Sequence, residues 1–166
     1  MLARCENALI LLGPPSELQR FTAANRGRDA DYEEPTGYGV PLSFAAAVPL
    51  HRCGPNRSAN RNAAWCVEHW GVEVDLGYDQ KLYYESGGDA AVYAFSTCST
   101  APLRWLASVA ALYPRVRFAL RWDGPAVAST GTVYYKRGVQ TGAKDFNQEV
   151  HAPLRVPVHA LPPVAF

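Results

Sequence analysis

A single α+β domain is what the sequence predicts, and three observations carry it. The chain of 166 residues is 48% apolar, enough for one core without disulfides or metals. Apolar and polar residues alternate with period two in Ala90–Cys98 and Val116–Trp122, the mark of half-buried strands. Two stretches with helical spacing, Ser16–Asn25 ahead of those strands and Leu103–Leu112 between them, are each set off by prolines.

Taken in order, Cys5–Leu12 reads as a strand that stops at Gly13-Pro14-Pro15, since proline fixes φ and removes a ladder donor. Ser16 and Gln19 make a capping-box pair, and Leu18 and Phe21 share a face, so a helix runs to about Asn25. Residues 26–64 read as a long insertion rich in Arg, Asp, Gly, Pro and Asn. Its stretches Arg26–Gly39 and Gly54–Asn62 read as solvated, and Leu42–Leu50 as an edge strand or a plug over the core. From Trp65, the alternation of Trp70, Val72, Val74 and Leu76 with polar or small residues predicts a strand. Gly87-Gly88-Asp89 is turn chemistry, pairing that strand with Ala90–Cys98.

The second helix is the best-marked element, with Ser99 or Thr100 expected as cap, Pro102 in its first turn and a stop at Tyr113-Pro114. Val116, Phe118, Leu120 and Trp122 then form one face of a strand whose other face carries Arg115, Arg117, Arg121 and Asp123. Gly131–Arg137 is expected as an edge strand, open to homodimer formation by sheet extension. The tail 150–166, with Pro153, Pro157, Pro162 and Pro163, is expected to lie extended on a surface. Strand, helix, strand, strand, helix, strand is the split βαβ order of the ferredoxin-like fold, with two helices on one face of an antiparallel sheet.

Several of these residues also resemble a known family. Cys5-Glu6-Asn7 before a Gly-Pro turn, Glu68-His69-Trp70-Gly71 followed by Asp75, and Phe95-x-Thr97 leading to a helix bounded by Pro102 and Tyr113-Pro114 are similar to the YubB-like proteins. The resemblance spans roughly Cys5–Gly138, with Glu73-Val74 standing where that family usually has Lys-Trp. It implies a ferredoxin-like domain of bacterial, plasmid or phage origin and no established activity.

Charge excludes a global basic field: sixteen Lys and Arg face fifteen Asp and Glu, a net +1. The apolar run Ala8–Leu12 is shorter than a secretion signal core or a membrane span, so a cytoplasmic chain without a membrane partner is expected. The four cysteines are too sparse for a disulfide framework. No Gly-x-Ser-x-Gly, phosphate-binding loop or His-Glu-x-x-His pattern occurs, so the expectation is a non-enzymatic interaction module without a cofactor.

Its candidate binding residues are the aromatic and ionisable group Trp65, Glu68, His69 and Trp70, and the basic stripe with Arg117 and Arg121. The stripe would meet nucleic acid or a protein partner on the sheet face left open by the helices. The competing reading is a zinc site, structural or catalytic, from His51-x-Cys53 and Cys66-x-x-His69, because Zn²⁺ takes four thiolate or imidazole ligands presented in two close pairs.

Overall fold

The computed structural model describes residues 3–27, 41–49, 59–76, 83–124 and 130–142. They form a mixed α+β unit: strands β1 (Arg4–Leu12), β2 (Tyr83–Gly87), β3 (Ala90–Cys98), β4 (Arg117–Asp123), β5 (Gly131–Lys136) and β6 (Val139–Thr141), with helices α1 (Pro15–Ala24), α2 (Phe44–Ala47), α3 (Ala59–Trp70) and α4 (Leu103–Leu112). The six strands make one sheet in the order β2-β3-β1-β4-β5-β6, and each neighbouring pair is antiparallel. β1 lies inside, with Leu9 opposite Tyr93 of β3 and Leu120 of β4.

The side-chain period of two sorts this sheet into two faces. Odd-numbered residues of β1 and β3, among them Leu9, Leu11, Tyr93 and Phe95, join Phe118, Leu120, Val133 and Tyr135 in the main core. Every described helix contributes there: Leu18 and Phe21 from α1, Phe44 from α2, Cys66 and Trp70 from α3, and Trp105, Leu106, Val109 and Ala110 from α4. Ring contacts join the layers, with Phe21 edge-on to Tyr93 and Tyr113, and Phe44 5.0 Å from Trp105. The other face holds a smaller cluster of Ile10, Leu12, Val92 and Ala119, with Ala90 and Tyr134 packed beside it.

Four sequence expectations change. The segment at Trp65–Trp70 is helix, because Cys66 and Trp70 are buried at i and i+4 while Val67 and Glu68 are exposed. α3 also takes up the end of the expected insertion. It ends at Gly71, whose φ of +86° is the left-handed conformation that glycine adopts without strain, and whose N–H donates to the Cys66 and Val67 carbonyls. The hairpin partner of β3 is therefore β2, with Gly87 opposite Ala90.

Leu42–Leu50 is not an edge strand over its described residues: it contains the single turn α2, with Leu42 and Phe44 buried in the core as a plug. β5 is not at the edge, because β6 pairs with Tyr134, Tyr135 and Lys136 through a turn in which Arg137 (φ 55°) and Gly138 (φ 76°) are both left-handed. Finally, neither expected cap forms. Pro14 and Pro102 hold the N-cap positions of α1 and α4 without side-chain capping bonds, and Pro15 occupies the first turn of α1, where a missing N–H costs nothing. The tail 150–166 and most of the insertion lie outside the described residues.

Candidate interaction surfaces

α3 decides where the first group of candidates goes. Successive residues on a helix point about 100° apart, so Trp65, Glu68 and His69, at i, i+3 and i+4, share one side of α3, while Trp70 turns toward the core. Trp70 is core: its ring packs on Phe44, and its indole N–H donates to the Val48 carbonyl at 2.9 Å. Trp65 and His69 lie on the flank, half-buried, their rings stacked at 4.1 Å and nearly parallel at 8°. Trp65 also meets Trp70 edge-on at 5.7 Å. Glu68 points outward, exposed, and its backbone carbonyl accepts from Arg104 of α4 at 2.8 Å.

The His69 tautomer follows from geometry. Nδ1 lies 2.9 Å from the Trp65 carbonyl, and a carbonyl can only accept, so Nδ1 carries the proton. In the neutral ring this leaves Nε2 as an acceptor. Val67, on the same helix, is 44% exposed, and Leu103 at the start of the neighbouring α4 is exposed too. The outer surface of α3 therefore offers a rigid aromatic platform, a carboxylate, an imidazole and apolar contact area.

Arg117 and Arg121 sit elsewhere. Both project from β4 on the face away from the helices, Arg121 exposed and Arg117 half-buried, with Arg121 opposite Ala8 on β1 and Thr132 on β5. The sheet thus separates the two groups of candidates, and they do not form one site. The face between the arginines is not open as expected. Ile10 is 1% exposed, Val92 3%, Ala119 4% and Leu12 5%, so its apolar centre is interior.

For zinc, Cys66 is buried in the main core, where burial pushes its thiol above the usual range and the charge of Asp75 adds to the effect. His69 is engaged with Trp65. His51 and Cys53 lie outside the described residues, and among the described residues no three metal-binding side chains converge. Cys5, Cys66 and Cys98 are free thiols. No described helix is long and apolar enough to cross a membrane.

Sequence reasoning missed the strongest polar site in the fold. The Asp75 carboxylate accepts from Ser43 Oγ (2.7 Å), Phe44 N (2.6 Å), Ala45 N (3.0 Å) and its own neighbour Leu76 N (2.7 Å). It thereby caps α2 from 30 residues away in the chain. The other end of the plug is held by indoles, with Trp105 Nε1 donating to the Phe44 carbonyl and Trp70 Nε1 to Val48. Burial raises the Asp75 carboxyl above its usual range while the four donors pull it back. A second polar group, Asn7 and Thr97, is equally structural: Asn7 Nδ2 donates to Thr97 Oγ1 and to the Cys5 carbonyl, both at 2.9 Å. An Asp followed by an apolar residue is the sole local trace of the first site, and nothing local says which helix it caps.

No family model, no curated protein and no solved structure matches the chain.

Proposed function

We propose that this chain is a non-enzymatic interaction module with a ferredoxin-like core, and that it binds a protein partner through the outer surface of α3. The fold part of this reading is supported by the inner strand order β2-β3-β1-β4, in which α1 follows β1 and α4 links β3 to β4. β5 and β6 extend that arrangement at one edge. The resemblance to YubB-like proteins points the same way and suggests bacterial mobile-element or defence biology.

The functional part rests on the half-exposed Trp65–His69 stack. Tryptophan brings the largest apolar contact area of any side chain, and a rigid aromatic beside polar groups is how protein interfaces build their anchors. Glu68 and the His69 Nε2 both accept hydrogen bonds, so the partner supplies donors such as arginine or backbone N–H groups. A protein partner is favoured over nucleic acid because the basic stripe frames an interior patch instead of an accessible platform for bases.

Titration with short single-stranded DNA and RNA at low salt tests the choice. No saturable binding is expected. Binding that weakens steeply with salt and disappears in the Arg117→Ala, Arg121→Ala double variant overturns the protein reading in favour of nucleic acid.

A further inference from the structure

The end of α3 lies against the start of α4, and the two helices share an outward-facing seam. Arg104 Nη1 donates to the Glu68 carbonyl at 2.8 Å, and Thr100 Oγ1 donates to the Gly71 carbonyl at 2.7 Å. A Cβ at Gly71 would stand 3.3 Å from the Ala101 carbonyl oxygen and 3.4 Å from the Leu103 nitrogen, so the approach is close. Val67, one turn before Gly71, and Leu103 flank this seam, 44% and 39% exposed.

The two charges beside them are opposite in sign, and both have bonding capacity left. Glu68 and Arg104 are exposed. Among the described residues, no ion pair or hydrogen bond engages the Glu68 carboxylate. Arg104 commits Nη1 to a backbone carbonyl, which leaves the edge of Nε and Nη2, the fork that holds a carboxylate through two bonds. Arg104 is also the sole charged residue of α4, and Ala107 and Ser108, one turn on, are exposed and small.

We propose that the partner of the α3 surface is a second copy of this chain, with α3 of each copy lying on α4 of the other. The inference rests on the α3 reading and names its partner. That surface calls for a donor such as arginine, and the chain presents Arg104 on the same seam. A two-fold axis running along the seam carries Glu68 onto the partner's Arg104 and Val67 onto the partner's Leu103, each contact being made twice. A partner of one charge sign would leave Glu68 or Arg104 facing its like, whereas self-pairing satisfies both. The Trp65–His69 stack, on the side of Glu68 turned away from α4, borders the contact.

Two ion pairs and a narrow apolar strip make a modest interface, so a monomer–dimer equilibrium with a Kd on the order of 10–100 µM is expected. Sedimentation velocity over a concentration series reads it. Glu68→Arg alone and Arg104→Glu alone each set like charges against one another twice, and each should weaken the dimer tenfold or more. An equimolar mixture of the Glu68→Arg chain and the Arg104→Glu chain should associate again, because every pair across the axis is then complementary. Loss of folding in either variant would not be repaired by mixing.

An unaltered chain that stays monomeric at ~300 µM overturns the proposal, as does a dimer that both single substitutions leave intact, or a mixture that does not associate. Should either variant fail to fold, a mixed-label sample of the unaltered chain decides. Cross-relaxation between Val67 methyls of one copy and Leu103 methyls of the other is expected, and its absence overturns the proposal. A monomer whose position 68 still crosslinks to a different protein strikes the second copy and leaves the α3 reading standing. A monomer with no adduct at position 68 strikes both.

Discussion

The two faces of this sheet differ in how they are buried, and the difference separates what holds the molecule together from what is left for a partner. The helix-covered face carries large interlocked rings, Phe21, Phe44, Tyr93, Phe95, Trp105 and Phe118, all fully buried. The opposite face carries a narrow strip of Ile10, Leu12, Val92 and Ala119 bordered by charge at Arg117 and Arg121. Burial alone does not mark a face as closed by helices. Nor does a basic border mark it as a binding site, because the strip between the arginines is dry.

The largest expected effect tests the helix-covered face. Phe44 plugs a seat formed by Trp70, Phe95 and Trp105, and Phe44→Ala should cost about 3–5 kcal/mol in denaturant unfolding. A loss under ~1 kcal/mol would mean that the plug is not part of the cooperative core. The next effect sharpens the contrast. Ile10→Ala should cost about 2–4 kcal/mol if the second face is a true interior, whereas a surface position would lose only a few tenths.

Smaller again is the Asp75 clamp. Asp75→Ala removes the acceptor of three backbone N–H groups and one hydroxyl, with an expected loss of about 1–3 kcal/mol. Amide exchange at Phe44 and Ala45 should accelerate before that of β3. Asp75 also sets a pH dependence. Its folded carboxyl lies above the usual range, so the folded state holds the proton more tightly than the unfolded one. The linked stability is fully present below the ordinary carboxylate range of ~3.9 and is lost as pH rises through the folded value. Relative to Asp75→Asn, the unaltered chain should therefore lose ground from acid toward neutral pH in parallel unfolding curves. The smallest effect belongs to the border: Arg121→Ala should leave stability within ~0.5 kcal/mol, since the side chain is exposed.

Much of the fold was legible because some elements announce themselves locally. β3 and β4 carry alternation, β1 is an apolar run stopped by Gly13-Pro14-Pro15, and prolines bound α1 and α4, so their limits fall within a residue or so of those read from sequence. α3 was not legible for a specific reason. Its buried stripe among the described residues is Cys66 and Trp70, and the alternation of Val72, Val74 and Leu76 beyond it imitates a strand. Gly71 was the available stop signal, a glycine directly after Trp70. α2 and β6 span four and three residues, too short for any period to show.

The candidate residues fared according to the same rule. Reading Trp65–Trp70 as a strand put neighbours on opposite sides, whereas the helix puts Trp65 and His69 in register for stacking at i and i+4. The Asp75 clamp joins residues 30 or more positions apart, so no window of sequence contains it.

Paired photo-crosslinking tests the central claim most directly, with a photoreactive amino acid placed at Glu68 in one full-length chain and at Arg121 in another, each expressed in its native cell. The account predicts a discrete protein adduct at position 68 that is lost when Trp65→Ala is added, and none at position 121. Adducts at position 121 with none at position 68, to protein or to nucleic acid, would contradict it.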